Sequence, residues 1–253
     1  MPVNQHKIGW LPATWHAPAH VHAGTTTRTG GVSPAPYESF NLADHVGDNP
    51  AYVEHNRKLL CHGLSLDGSP CWLQQMHGNR IINIAESCVE PLINQQGDGS
   101  YTCYKHRICA VLTADCLPLL MCNGRGTEIS AIHIGWRGYS ENIITSAVTR
   151  FTSPACDLMA WIGPCISAKY YEVGPEVHTT CTRVTGDPAI GFTAIRNKHW
   201  LADLVALVKF QLQVCGVTNI HGGDHCTHAE ADQFYSFRRD GVTGRMASLI
   251  WME

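Results

Sequence analysis

The chain has 253 residues, of which 44% are hydrophobic, so it is long and apolar enough to bury a substantial core. Its formal net charge of -3 leaves no basic surplus to neutralise a phosphate backbone, so we expect no nucleic acid partner. Nowhere do about 18 uncharged apolar residues run together and the N-terminus has no apolar leader, so we expect a cytoplasmic protein without a membrane span.

The twelve cysteines are predicted to be mostly free thiols, since disulfide frameworks belong mainly to short secreted chains. No two of them form a Cys-x-x-Cys pair, which excludes compact zinc-knuckle and thioredoxin-type motifs. Any metal site must therefore be assembled from distant segments. No internal repeat or linker divides the chain, so one domain over residues 1–253 is expected.

In the first half of the chain, residues 21–28 are typical of a strand, and a long loop rich in Gly and Pro follows them. A helix is predicted to start at Asp48-Asn49-Pro50. Residues 108–114 and 129–134 are predicted strands around the sequence Asn-Gly-Arg-Gly, and Asn-Gly between apolar runs favours a hairpin.

In the second half, a helix is predicted to start at Ser140 and to carry an apolar face through Phe151. A strand at residues 159–162, a helix at 201–214 and two closing strands at 234–237 and 246–252 are expected to follow. Strands and helices do not alternate strictly, which favours an α+β fold over a doubly wound parallel sheet.

The predicted hairpin brings a thiol and an imidazole together. If residues 124–125 form the loop, Cys116 faces His133 directly, and if residues 123–124 form it, His133 lies two residues along on the same face. Directly opposed side chains have Cβ atoms about 4.5 to 5.5 Å apart. A three-residue loop would aim the two side chains at opposite faces, and Pro118 is typical of an edge strand or bulge that shifts the pairing.

A Cys/His pair fits two kinds of chemistry, a thiolate nucleophile activated by imidazole or two ligands of a metal centre. A third ligand would separate them. His77 is a candidate because Gly78 lets the backbone turn directly after the ring, which suits a side chain presented at the rim of a cleft.

Three segments resemble the signature segments of the YfiH family: WLQQMHG at 72–78, TADCLP at 113–118 and HIGWRG at 133–138. Further similar segments span nearly the whole chain. They are TRTGGVS at 27–33, FNL at 40–42, GD at 47–48, EHNR at 54–57, GGDHCT at 222–227, FRRD at 237–240 and TGRMA at 243–247.

The resemblance implies a single-domain α/β sandwich with mixed, largely antiparallel sheets flanked by helices. The family was long labelled copper-dependent polyphenol oxidases, or laccases, and members are now described as purine nucleoside phosphorylases that also deaminate adenosine. Their zinc is bound by two histidines and a cysteine, which implies His77, Cys116 and His133 as metal ligands and catalytic residues, with Cu²⁺ as the alternative ion. Three protein ligands leave the fourth position of a catalytic zinc open.

The expected substrates are adenosine, inosine, guanosine and methylthioadenosine, together with phosphate, and the protein is expected to be a monomer or homodimer. Guanidinium groups match phosphate oxygens, so the arginines of the family-like segments are candidate anion holders. The substrate-binding candidates are Arg57, which is the first choice, Arg28, Arg238, Asn41 and Gln75, with Arg239 as a further anion holder. Asp98 is expected to hold the second nitrogen of a ligand histidine.

Asp115 precedes Cys116 on the predicted strand and should point away from the metal, which favours a structural role. Two other groups of metal-binding residue types compete with the proposed ligands. The first contains His221, His225, Cys226 and His228, and the second is the pair His20 and His22.

Three other functions stay open at this point. Cys116 as nucleophile with His133 as base would make an amidase-type hydrolase, a reading that distant fold similarity to Cys/His toxins supports. A cysteine with two histidines is also a blue-copper ligand set, although a multicopper oxidase needs several His-x-His pairs. The non-catalytic alternative is a metal-binding module.

Overall fold

A computed structural model describes residues 8–86 and 95–253. The strands in this part of the chain are β1 Trp10–Pro12, β2 Val21–Thr26, β3 Ile81–Asn83, β4 Gly99–Thr102, β5 Ile108–Thr113, β6 Leu117–Asn123, β7 Ile129–Ile134, β8 Leu158–Ile162, β9 Glu172–Val173, β10 Phe192–Arg196, β11 His199–Ala202, β12 Asn219–Gly222 and β13 Met246–Met252. The α-helices are α1 Pro50–Gly63, α2 Trp136–Ser140, α3 Ile143–Val148, α4 Pro175–Thr185, α5 Leu204–Val214 and α6 Phe237–Asp240.

The strands form two large sheets and one small one. Their orders are β1-β2-β13-β5, β12-β8-β6-β7-β4-β3 and β10-β11-β9, and the pairs are antiparallel except β8 with β12 and β3 with β4. The two large sheets share a core, and helices cover their outer faces. The predicted α+β sandwich of largely antiparallel sheets is confirmed. Within the described residues, no helix is long and apolar enough to cross a membrane.

Strand β6 explains how the layers are assembled. Leu117, Leu119 and Met121 pack with the helices, whereas Leu120 and Cys122 pack in the core between the two large sheets. Successive side chains of a strand point to opposite faces, so a strand that is buried on both faces has a nearly continuous apolar sequence. All seven residues of β6 are buried.

Three predicted elements differ from the structure. The closing strand expected at 234–237 is wrong, because Ser236 caps a short helix there by accepting a hydrogen bond from the Arg239 N–H at 3.2 Å. The helix expected from residue 201 begins instead at Leu204, where Asp203 caps it. The helix expected from Ser140 begins instead at Ile143, because Ser140 is the last residue of α2 and Asn142, with a left-handed φ of 61°, separates α2 from α3.

Both hairpin registers expected from the sequence are wrong, because Pro118 pairs with His133. The connection is longer than two residues: the Asn123 side-chain oxygen accepts hydrogen bonds from the Thr127 and Glu128 N–H groups and widens the turn. The register differs from the expected ones by an even number of residues. Cys116, just before β6, and His133 therefore keep the same side of the sheet.

Glu128 closes this wide turn. Its carboxylate accepts hydrogen bonds from the Tyr101 hydroxyl at 2.6 Å, from the N–H groups of Thr152 and Ser153, and from the Asn123 amide. Burial raises the pKa of Glu128, but its hydrogen bonds, the one from the Ser153 hydroxyl foremost, lower it to about 2. The ionised carboxylate therefore ties the hairpin to the segment before β8.

We predict that Glu128→Gln lowers the free energy of unfolding by about 2 kcal/mol at pH 7, because the new amide donors would face buried N–H groups. The folded pKa of about 2 lies below the ordinary value of 4.5, so the contribution is complete above pH 4.5 and is lost as the pH falls towards 2. Denaturant unfolding of both proteins at pH 7 and pH 3 measures the difference, and a gap that widens at pH 3 would contradict this account.

Candidate metal centre

Three distant segments bring their donor atoms together. His77 lies in the loop before β3, Cys116 lies between β5 and β6, and His133 lies on β7, yet one donor atom from each is within 4.8 Å of the others. The two imidazole rings meet edge-on with their centroids 4.7 Å apart. Within the described ranges this is the one group of three or more His, Cys, Asp or Glu side chains that could hold a metal ion.

Two non-glycine residues adopt left-handed backbone conformations at this site. His77 has φ of 60° and Asp115 has φ of 94°. The Asp115 carboxylate is held by the Thr227 hydroxyl at 2.7 Å and the Arg238 N–H at 2.6 Å. Such conformations cost energy and persist where surrounding contacts hold them. The turn at Asp115 orients Cys116, and the hydrogen bonds give Asp115 structural contacts of the kind expected from the sequence.

Asp98 is buried and connects two of the three donor residues. Its carboxylate accepts hydrogen bonds from the backbone N–H groups of Met76, His77 and Gly78 at 3.1, 2.8 and 2.8 Å, and contacts the Nδ1 atom of His133 at 2.9 Å. An ionised carboxylate only accepts, so Nδ1 carries the proton and Nε2 is left for another partner. Burial raises the pKa of Asp98, but the His133 and backbone hydrogen bonds outweigh burial and lower it.

The side chains of Cys116 and His133 shift each other's pKa. Burial raises the pKa of the Cys116 thiol, but the charges and hydrogen bonds of His133 and His77 lower it to about 6. Burial lowers the pKa of His133, but the Cys116 thiolate and Asp98 raise it to about 9. Cys116 and His133 therefore favour each other's charged form, and the thiolate is the form of Cys116 that ligates metals and attacks electrophiles.

The residues fit a zinc ion. Thiolate and imidazole are zinc ligands, and the three donor atoms lie within 4.8 Å of one another, so small side-chain movements bring them onto one ion. Gly135 keeps the space open: a Cβ atom there would lie 3.1 Å from His77 Cδ2 and 3.3 Å from Cys116 Sγ. The described residues bring together three donors, the number that catalytic zinc sites have, whereas structural zinc sites have four.

The sequence model of a family described as multi-copper polyphenol oxidoreductase laccase matches residues 22–253. Proteins named purine nucleoside phosphorylase YfiH, from Shigella flexneri and Escherichia coli, are each 42% identical over 238 residues, which cover 94% of this chain and 96% of theirs. The chain belongs to the YfiH family. The crystal structure of a Neisseria meningitidis protein is also similar, with 41% identity and a TM-score of 0.91 over 97% of this chain and 99% of that one.

Two of the residues predicted to bind substrate have structural contacts in this YfiH-family fold. The Gln75 amide donates to the Leu112 carbonyl and accepts from the Leu112 N–H. Asn41 is fully buried, donates to Asp48 and Ala43, and accepts from the Ala43 and Arg245 N–H groups. These hydrogen bonds use most of the donors and acceptors of both side chains.

Arg57 lines a different cavity. Its guanidinium stacks on Trp72 at 4.5 Å from the ring centroid and pairs with Asp44 at 3.4 Å. The cavity has a volume of about 840 Å³ and lies between α1, the segment that follows it and residues 72–75. Its lining does not include His77, Cys116 or His133.

The other predicted arginines are held in different ways. Arg28 stacks on Tyr235 and donates to the carbonyl oxygens of Glu38 and Ala231. Arg239 is held by Asp240 and by three backbone carbonyls. Arg238 is next to the metal-ligand loop through its backbone bond to Asp115. Sequence reasoning missed Arg245 as a single residue, although its segment, TGRMA, carried part of the family resemblance.

The competing His/Cys groups do not form a ligand set in the described part of the chain. His225 pairs with Glu230 at 2.8 Å, and His228 stacks on Tyr170. His20 contacts the Gly126 carbonyl, and His22 stacks on Trp251. Their proximity in sequence is therefore not proximity of their donor atoms.

We predict that Gly135→Ala weakens metal binding about tenfold, because overpacking costs about 1 to 3 kcal/mol and the new methyl group would push on two donors. Gly174→Ala is a matched control: both glycines are helix N-caps with extended backbones, and a Cβ at Gly174 meets nothing within 4 Å. Competition with a chelator of known affinity measures the effect. Equal losses in the two variants would indicate a helix effect and not a site effect.

We also predict that Asp98→Asn lowers metal affinity about 10- to 100-fold, the usual cost of losing a carboxylate that orients a ligand histidine. Asp232→Asn changes the same functional group at an exposed position and should leave the affinity unaltered. The same chelator competition applies. Unchanged affinity in Asp98→Asn would remove this carboxylate from the metal site.

Proposed function

We propose that this protein is a purine nucleoside phosphorylase whose active site is a zinc ion held by His77, Cys116 and His133, with adenosine deamination as a side activity. The observation that carries the proposal is the convergence of these three donors within 4.8 Å in a chain 42% identical, over almost its whole length, to proteins named purine nucleoside phosphorylase. The expected nucleosides are adenosine, inosine, guanosine and methylthioadenosine.

The chain's own residues contribute positioning and charge. Zinc held by the three donors would supply Lewis-acid chemistry, which suits deamination at the purine ring. Asp98 fixes the ring of His133 and the loop of His77 at once, so both imidazoles are preorganised.

Phosphorolysis also requires a region of the site that binds phosphate. A phosphate oxygen forms a bond to C1′ of the ribose while the bond from C1′ to the base nitrogen breaks, and that nitrogen keeps the electron pair and takes up a proton. The products are the free base and ribose 1-phosphate. Guanidinium groups near Cys116 would hold the phosphate and offset its charge.

We predict that protein purified with its metal releases base and ribose 1-phosphate from inosine or adenosine and phosphate, and that His77→Ala lowers turnover more than about 100-fold. Losing a residue that hydrogen-bonds a metal ligand already lowers metal affinity or activity about 10- to 100-fold, and losing the ligand itself lowers them further. His55→Ala, at an exposed position on α1, is the matched control. Chromatography of the products and metal analysis of each protein provide the measurement. Metal-replete protein without turnover would refute the proposal.

A second function is favoured by one observation. Cys116, His133 and Asp98 form a hydrogen-bonded chain in which the thiol pKa is lowered to about 6, as in hydrolases with a cysteine nucleophile. An amidase of this kind would keep its activity after chelation and would be labelled at Cys116 by an electrophilic substrate analogue. Loss of activity on chelation, restored by zinc, favours the phosphorylase instead.

The copper-dependent oxidase is the third alternative, since the matching family model carries that description. A multicopper site needs further histidine ligands, and the described residues provide one group of three donors. Metal analysis of protein purified without a polyhistidine tag distinguishes the two ions. About one equivalent of zinc supports the proposal, and several equivalents of copper would support the oxidase.

A further inference from the structure

Two of the candidate anion-binding arginines, Arg57 and Arg239, are neutralised by carboxylates. The arginine ion pairs in the described ranges involve Arg57, Arg196 and Arg239. Arg28 has no carboxylate partner there, but its guanidinium bonds and its stacking on Tyr235 hold it to the loop at residues 38 and 231. Arg238 and Arg245 have no ion pair in this part of the chain.

Arg238 is positioned by the residue that precedes Cys116. Its backbone N–H donates to Asp115 Oδ2 at 2.6 Å, and its guanidinium lies over Tyr171, 5.1 Å from the ring centroid. Its Nη1 donates to the Glu172 carbonyl, and the other guanidinium nitrogens have no hydrogen bond to described residues. The side chain is exposed, so these donors face solvent or a ligand.

Arg245 directly precedes Met246, which pairs with Thr113 at the end of β5, so it lies beside the turn that carries Cys116. Its backbone N–H donates to Asn41, and its Nη1 donates to the Thr243 and Gly244 carbonyls. Burial lowers its pKa, whereas the charges of Cys116 and Asp115 raise it. Neutral carbonyls satisfy its hydrogen bonds, but no carboxylate of the described residues forms an ion pair with this half-buried guanidinium, a costly arrangement unless an anion binds.

Phe237 links the two arginines. It is adjacent to Arg238 in the chain, and its ring centroid is 5.8 Å from the Arg245 guanidinium. A divalent cation bound to Cys116 would neutralise its thiolate. The Asp115 carboxylate, which already accepts hydrogen bonds from Thr227 and Arg238, would then be the negative charge next to the two guanidinium groups. The positive balance that results suits a dianion.

We propose that Arg238 and Arg245 form the phosphate-binding side of this site and hold inorganic phosphate next to Cys116, in place of Arg57. This assignment rests on the proposed phosphorylase function only where it is tested by enzyme kinetics. Phosphate binding itself is measurable without turnover, so the two proposals fail separately.

The test combines Arg238→Gln, Arg245→Gln and Arg57→Gln with an exposed control, Arg150→Gln. The KM for phosphate should rise about tenfold or more in the first two variants, the usual effect of losing a charge-assisted hydrogen bond, while the KM for inosine changes less than about twofold. Arg57→Gln and Arg150→Gln should resemble the wild type. Arg238→Lys should recover part of the loss, because it restores the charge without the planar fork.

Thermal unfolding with added inorganic phosphate provides the readout without turnover. Phosphate should raise the Tm of the metal-loaded wild type and should do so much less in Arg238→Gln and Arg245→Gln. If Arg245→Gln does not fold, the exposed Arg238→Gln decides. Stabilisation by phosphate without turnover would keep this anion site and refute the phosphorylase. Turnover with an unchanged phosphate KM in both variants, or a raised KM in Arg57→Gln alone, would overturn the anion site.

Discussion

The candidate metal centre depends on the Asp98 carboxylate. This single buried group accepts three backbone N–H groups from the loop at residues 76–78 and holds the imidazole of His133 on β7. A buried carboxylate is costly to desolvate and stays charged only when several donors compensate it. The same hydrogen bonds therefore keep Asp98 ionised, fix the tautomer of His133 and hold His77 in its left-handed conformation, so the loop and the strand cannot move independently.

The sheet framework explains why the third donor arrives at the same place. Strands β6 and β7 are neighbours in the six-stranded sheet, buried between the second large sheet and the helices, so the ends of both are held firmly. Cys116 lies just before β6, after the left-handed turn at Asp115. Contacts from two later segments, Thr227 and Arg238, hold that turn. The C-terminal part of the chain thus takes part in positioning a ligand more than a hundred residues earlier.

The competing functions use the same atoms. A thiolate whose pKa is lowered by two imidazoles is a good metal ligand and a good nucleophile, so side-chain geometry is shared by a zinc phosphorylase and a cysteine hydrolase. The two functions require different surroundings for these atoms, because a phosphorylase must also bind phosphate, a dianion. Arg238 and Arg245, which have no ion pair within the described residues, are the groups proposed to provide that place.

The sequence alone determined the α+β class, the turn around residues 123–126 that precedes the strand of His133, and, through the family-like segments, the three donors that converge. These follow from local patterns and from motifs a few residues long. Only the tertiary structure decided the register of β6 against β7, the helix at Phe237, the hydrogen-bonded roles of Asn41 and Gln75, and the availability of Arg245. Each of these depends on contacts between residues far apart in the chain, such as Arg245 with Asn41 or Asp115 with Arg238, and pairing energies of that kind have no signature in the local sequence.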